Sequence, residues 1–317
     1  PWLVINVLLT FAVSSCACFL LLFLVYVLCN LRLSQFGLRT FVFSGGMPGF
    51  GLRGPVGWFH NAGELGIQMA MFAPLALMIT AGLWDRFGRL GKFVLVLLPF
   101  SAVLTAVGTN SRGAILAVGV ATTWATLALG VKLRTIAGLA VLAGSGLLLI
   151  SDQVWERFQT MGEDTTSLRR LAFIQDGLKM IGDHPVIGIG YFNWMPYYSA
   201  YFPPVDDVHY LGTHQLPHNI MIQVTAELGV LGLVVFLALV TWSFVLNRRT
   251  RAFVGERQRF LRILSHGLDA SMIAFLLAGQ FVTVLYYPYF WIHLSLTVAL
   301  HNSCRLDLSA SAKKGAI

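Results

Sequence analysis

Charge is what this chain has least of. Only 11% of its 317 residues are charged, against roughly 25% in a soluble domain. Apolar residues make up 56% and the mean hydropathy is +0.73, a balance that excludes a water-soluble fold. Cysteine is scarce too. Cys16, Cys18, Cys29 and Cys304 all lie in or beside apolar stretches, which excludes a disulfide framework or a zinc-ligand spacing. No glycine-rich phosphate loop, Gly-x-Ser-x-Gly or His-Glu-x-x-His pattern occurs. His209, His214 and His218 have only Asp206 and Asp207 to complete a metal set, so neither metal nor cofactor is expected.

What is present is a succession of apolar runs at residues 2–29, 63–84, 93–108, 113–131, 135–150, 220–246, 268–286 and 289–300. Most approach or exceed the roughly 20 residues that a helix needs to cross a bilayer. The expected fold is an all-α polytopic membrane protein with about eight transmembrane helices. Residues 1–150 hold the first five, with a glycine-rich link at 30–61. Residues 151–217 form a polar segment, and 218–317 carry the last three spans and a basic tail. The chain begins at Pro1, and its first run is too long and uniformly apolar for a cleaved signal peptide. It is expected to be a piece of a longer protein.

The net charge of +8 is not a nucleic-acid signal here, because lysine and arginine in short loops set membrane topology. Eight crossings put most of the 22 basic residues on one side, the cytoplasm. The link at 30–61, the turn at Asn110-Ser111-Arg112 and the 151–217 segment then share the opposite, periplasmic face, so that segment is expected to be one large periplasmic region. The bacterial inner membrane is the expected location.

Arg53, Arg112, Arg169, Arg170, His184 and His218 therefore all fall on the outer face. A single interfacial arginine is ordinarily a snorkelling or lipid-phosphate contact. Several on one face would suit a multiply charged anion such as pyrophosphate, because guanidinium donates in a planar fork. Leu171, Ile174, Leu178 and Ile181 recur at helical spacing up to Gly182 and Pro185. At about 100° per residue Arg170 borders that apolar face and Arg169 points nearly opposite. Asn219, Gln223 and Glu227 make a polar stripe on the sixth span, with His218 at its entrance, a position suited to a general base. Glu227 should have a partner on another helix or an arginine. His60, Asn61, Glu64 and Gln68 repeat the device on the second span. Tyr191, Phe192, Trp194, Tyr197, Tyr198 and Tyr201 crowd one stretch, either as an interfacial aromatic belt or as a platform for sugar rings.

Asn110-Ser-Arg-Gly-Ala114 opening a span, Arg170-x-x-Phe173 leading into Asp183-His-Pro-Val-Ile-Gly-Ile-Gly190, and His218-Asn219 followed by Gln223, Glu227-Leu-Gly229 and Gly232 resemble the O-antigen ligase and polymerase superfamily. The resemblance covers about residues 50–246. Arg53-Gly-Pro before His60-Asn61 is similar to the region ahead of an earlier span, although His60 stands where proline is more usual. The resemblance implies a GT-C-like fold of about a dozen spans and a metal-independent, inverting glycosyltransferase. The implied donor is a glycan on undecaprenyl pyrophosphate, and the acceptor a hydroxyl on lipid A core, a repeat unit or a protein. By the same resemblance Arg112 and Arg170 hold the pyrophosphate and His218 activates the acceptor. Arg53, His60, Asn61, Arg169, Tyr191, Trp194 and Asn219 would bind substrate. A transporter of lipid-linked sugars is the alternative from another class.

Overall fold

A computed structural model describes residues 2–43, 51–55, 59, 61–131, 165–202, 215–254 and 258–315. Among these residues every regular element is helical: α1 (Trp2–Ala12), α2 (Cys16–Phe43), α3 (Ala62–Leu83), α4 (Arg89–Gly108), α5 (Arg112–Ala128), α6 (Thr165–Asp183), α7 (Trp194–Tyr201), α8 (Ile220–Val254), α9 (Arg259–Ala278) and α10 (Pro288–Gly315). Cys16–Phe43, Ala62–Arg86, Arg89–Gly108, Ile220–Val254 and Arg259–Ala278 are long and apolar enough to cross a membrane, and Arg112–Ala128 is a shorter apolar helix. The protein is a multi-pass, all-helical membrane protein. The expected fifth span, 135–150, lies outside the described residues.

Several span boundaries differ from the sequence reading, three of them for a local reason. The run 2–29 is two helices, because Ser15 Oγ accepts from Cys18 N at 3.2 Å and caps a new start. The second of them does not stop at Asn30. Asn30 Nδ2 donates to Tyr26 O at 2.9 Å and Ser34 Oγ to Leu31 O at 2.9 Å, so these polar side chains are satisfied by their own helix, which runs on to Phe43. The seventh span begins at Arg259 and ends at Ala278, ahead of an irregular stretch at 279–287. Its start is retained in the helix beside a buried ion pair, Arg251 Nη1 to Asp269 Oδ2 at 2.7 Å, with Asn247 Nδ2 on Asp269 Oδ1 at 2.8 Å.

The described chain divides into two compact units, 1–133 with 240–278 and 286–317, and 134–239 with 279–285. In the first, α3 is the central helix. It packs against α9, α4 and α5, and Leu65 through Ala76 have essentially no exposed surface, as expected for a helix apolar on all sides. In contrast, Leu21, Leu24, Val25 and Leu28 of α2 are half or more exposed, which suits contact with lipid chains. Hydroxyl groups join the helices: Thr105 Oγ1 donates to Ser34 O at 2.9 Å, and Thr80 Oγ1 to Leu95 O at 2.8 Å.

The polar stripe on α3 is structural glue of the same kind. Asn61 caps the helix, accepting from Glu64 N at 3.0 Å and donating through Nδ2 to Glu64 Oε1 at 2.9 Å. Tyr287 Oη donates to the same Glu64 oxygen at 2.8 Å, and Gln68 Nε2 donates to Asn30 Oδ1. Burial and the Glu64 carboxylate push the Tyr287 phenol pKa up, so it stays a donor. Tyr287→Phe is expected to cost about 1 kcal/mol, read as a lowered unfolding midpoint of the detergent-purified protein.

Candidate functional site

The second unit is built around a break in α8. Gly229 has φ 67° and ψ −172°, which divides the helix into an N-terminal arm, 220–228, and a C-terminal arm, 230–254. The break removes helical hydrogen bonds, and the Pro185–Gly190 loop supplies replacements. Ile189 N donates to Ala226 O at 2.9 Å, Gly190 N to Glu227 O at 2.9 Å, Val230 N to Pro185 O at 2.8 Å and Leu231 N to Val186 O at 3.3 Å. This contact leaves no room for side chains. A Cβ on Gly229 would lie 2.1 Å from Val186 O, and one on Gly188, itself at φ 72°, would lie 2.4 Å from the Glu227 carbonyl carbon. The glycines of His-Pro-Val-Ile-Gly-Ile-Gly and Glu-Leu-Gly are two halves of one joint.

Glu227 completes it. Fully buried, its Oε1 accepts from Trp194 N at the start of α7 at 3.1 Å, and its Oε2 accepts from Gln223 Nε2 at 3.2 Å. The expected partner on another helix is thus a backbone N–H at a helix N-terminus, a position that favours a carboxylate. Behind it Trp194, Phe173, Met180, Tyr198 and Ala226 form a core. Asp176, on the same helix as Phe173 and nearly as buried, accepts from Tyr198 Oη at 2.7 Å and from Lys179 Nζ at 2.9 Å. Trp194 has no exposed surface, which corrects its expected role as a platform for sugar: a ring enclosed on both faces cannot stack on substrate. Tyr191, 68% exposed, is accessible.

The N-terminal arm carries His218 and Asn219 at its tip. Asn219 Oδ1 caps the arm, accepting from Met221 N at 3.0 Å and Ile222 N at 3.1 Å. Ile220 N donates to Gly279 O at 2.8 Å, and His218 N to Thr283 Oγ1 at 3.0 Å. His218 itself is held at φ 51°, a left-handed conformation unusual for a residue with a side chain. Arg170 reaches the same 279–285 strap, donating from Nη2 to Phe281 O at 3.3 Å with its guanidinium 5.7 Å from the Phe281 ring centre. Burial, and secondarily the Arg170 charge, lower the His218 pKa from its ordinary 6.5 to about 4. The imidazole is therefore neutral at physiological pH, and a cation stands near it. Arg169 is half-buried like Arg170, where the periodicity placed it in water.

The first unit holds the other described candidates. Arg112 opens α5, capped by Ser111 Oγ on Ala114 N at 3.4 Å, and is half-buried. Leu52 N donates to Gly108 O at 2.8 Å, which places the exposed Arg53 beside the turn that leads to Arg112. A Cβ on Gly66 of α3 would lie 2.9 Å from the Ala114 Cβ, so the N-termini of α3 and α5, with Asn61 and Arg112, are neighbours. His60 and the 203–214 stretch with Asp206, Asp207, His209 and His214 lie outside the described residues. The sequence reading missed the roles of Thr283, Phe281 and Gly279. A mostly apolar strap carries no local signal that its carbonyls and its threonine hydroxyl serve residues up to 111 positions away.

Residues 93–237 match the family whose description is O-antigen ligase. No curated protein matches the chain. The matched segment contains Arg112, Arg170, the 184–190 loop, His218 and the Glu227-Leu-Gly229 break. The resemblance read from those motifs is thereby borne out over residues 93–237, the segment that matches the O-antigen ligase family.

Proposed function

We propose that the protein is an inverting, metal-independent glycosyltransferase of GT-C-like architecture, moving a glycan from undecaprenyl pyrophosphate to an acceptor hydroxyl at the periplasmic face of the inner membrane. The observation that carries this reading is that His218 and Arg170, both within the segment matching the O-antigen ligase family, are both bonded to the 279–285 strap. In the step proposed, the acceptor oxygen bonds to the anomeric carbon as the bond from that carbon to the phosphate oxygen breaks. The electron pair leaves with undecaprenyl pyrophosphate, and the acceptor proton passes to the His218 imidazole. Arg170 and Arg112 neutralise the charge that grows on the leaving group; fixed donors in a site with little water stabilise such charge strongly. Arg53, Asn61 and Asn219 are proposed as further substrate contacts. A ligase, a polymerase of repeat units and a protein oligosaccharyltransferase share this chemistry and differ in acceptor.

The test follows release of lipid pyrophosphate from an undecaprenyl-pyrophosphate glycan by the full-length protein in vesicles, with and without chelator, across the three acceptor types. Chelator-resistant transfer supports the reading, and the acceptor consumed names the subclass. Movement of labelled lipid between leaflets without donor consumption overturns it in favour of transport.

A pH profile reports on the base. With the His218 pKa lowered to about 4, kcat/KM, which reports free-enzyme ionisations, is expected to stay flat as pH falls from about 7.5 to about 5 and to decline below that. A decline centred at 6.5 would place the base in an ordinary aqueous setting. The stability sign agrees. Unfolded His218 takes up a proton near 6.5 and folded His218 only near 4, so its contribution is full above 6.5 and is lost as pH falls from 6.5 toward 4.

A further inference from the structure

The Pro185–Ile187 turn is apolar and does not fold inward. Val186 is 55% exposed and Ile187 73%, although they sit in a segment that the sequence alone assigns to water. Their backbone position is fixed by Val230 N on Pro185 O and Leu231 N on Val186 O. The two residues they join, Val230 and Leu231, are themselves outward-facing and apolar, as are Val234, Val235 and Leu237 farther along: all five are 43–59% exposed on the most apolar of the crossing helices. The exposed turn is thus held by its backbone against the first residues of the apolar C-terminal arm of α8.

The depth of this contact follows from helix geometry. At 1.5 Å per residue, the stretch from Val230 to Asn247, ahead of Arg248 and Arg249, is about 27 Å long, close to the roughly 30 Å hydrocarbon thickness of a bilayer. The C-terminal arm therefore crosses the membrane by itself, and Val230 and Leu231 lie at the far edge of the hydrocarbon from Arg248. On the other side of the Gly229 break, Gly190 N is bonded to Glu227 O, and the next two residues are the exposed aromatics Tyr191 and Phe192. Aliphatic side chains beside the apolar crossing arm and aromatic rings on the far side of the break is the order in which a bilayer interface sorts residues.

We propose that the Pro185–Ile187 turn is inserted in the bilayer, with Val186 and Ile187 in the hydrocarbon edge and Tyr191 and Phe192 in the headgroup layer above them. The partner of this surface is the lipid bilayer itself. Non-helical backbone at this depth is tolerated because its polar groups are taken up by the α8 break. The turn thus fixes the height of the His218 arm above the membrane plane, where a lipid-linked substrate presents its headgroup. The insertion does not depend on the transferase reading and holds whatever reaction the site carries.

The test is nitroxide labelling of the full-length protein in liposomes after its native cysteines have been replaced. Ile187→Cys is compared with Val234→Cys on the lipid-facing arm and with Ser199→Cys on α7, which is exposed. Collision rates with oxygen, which concentrates in lipid, and with a water-soluble nickel chelate are measured at each site. The oxygen-to-nickel ratio at Ile187 is expected to be several-fold above that at Ser199 and to approach that at Val234. A ratio equal to that at Ser199 would place the turn in water, and shielding from both reagents would place it under protein; either result overturns the proposal.

Discussion

Arg170→Ala is expected to slow glycan transfer about 10²–10³-fold in kcat, equivalent to about 3–4 kcal/mol of barrier by comparison with the loss of one preorganised oxyanion donor. The loss should appear in kcat more than in KM, because the charge that Arg170 meets grows only as the bond to phosphate breaks. Two controls separate this from a folding defect. Arg170→Lys retains the charge without the planar fork and should fall between wild type and alanine. The acid limb of the kcat/KM profile should also move to higher pH in Arg170→Ala, since the Arg170 charge is one of the two causes holding the His218 pKa down. A variant with reduced kcat and an unmoved limb would show that Arg170 acts away from His218.

The second large effect concerns stability. Gly229→Val must place a β-branched side chain at φ 67° and within 2.1 Å of Val186 O. Left-handed strain alone costs about 1–3 kcal/mol, and the clash requires the loop to leave its site as well, so a total of about 3 kcal/mol or more is expected. Gly188→Ala should show the same loss from the other side of the joint, where its Cβ would meet the Glu227 carbonyl. Gly182→Ala is the internal control. That glycine is in α6 with nothing within 4 Å of its Cβ position, and alanine there should stabilise by up to about 1 kcal/mol. Thermal unfolding of the three purified variants in one detergent makes the comparison. Equal midpoints for Gly229→Val and wild type would mean that the joint opens without cost.

The sequence carried the class of the fold because the bilayer demands long apolar runs, and runs are visible one residue at a time. It carried Arg170, His218 and the Glu227-Leu-Gly229 motif because polar groups at span entrances stand out against such a background. What it hid depends on cooperation between distant segments. The helix break at Gly229 reads as an ordinary glycine in an apolar run until the 184–190 loop is seen to supply the missing hydrogen bonds. Trp194 and Tyr191 are three residues apart in one aromatic cluster, yet one is enclosed and the other open, and composition cannot distinguish them. The polar stripe of α3 was readable as a repeat of that on α8, but its role in capping and interhelical bonding required the partners Asn30 on α2 and Tyr287 just ahead of α10, both distant in sequence.

The joint also sets a mechanical tolerance. The nine residues from Ile220 to Leu228 make a rigid lever about 13 Å long at 1.5 Å per residue, with its fulcrum at Gly229 and His218 just beyond its free end. Tilting such a lever by about 4° displaces its tip by about 1 Å, a misplacement that can cost on the order of 10²-fold in rate. In the proposed reaction the four backbone hydrogen bonds clamped around Gly229 would thus act as angular stops, although none of them involves His218 itself.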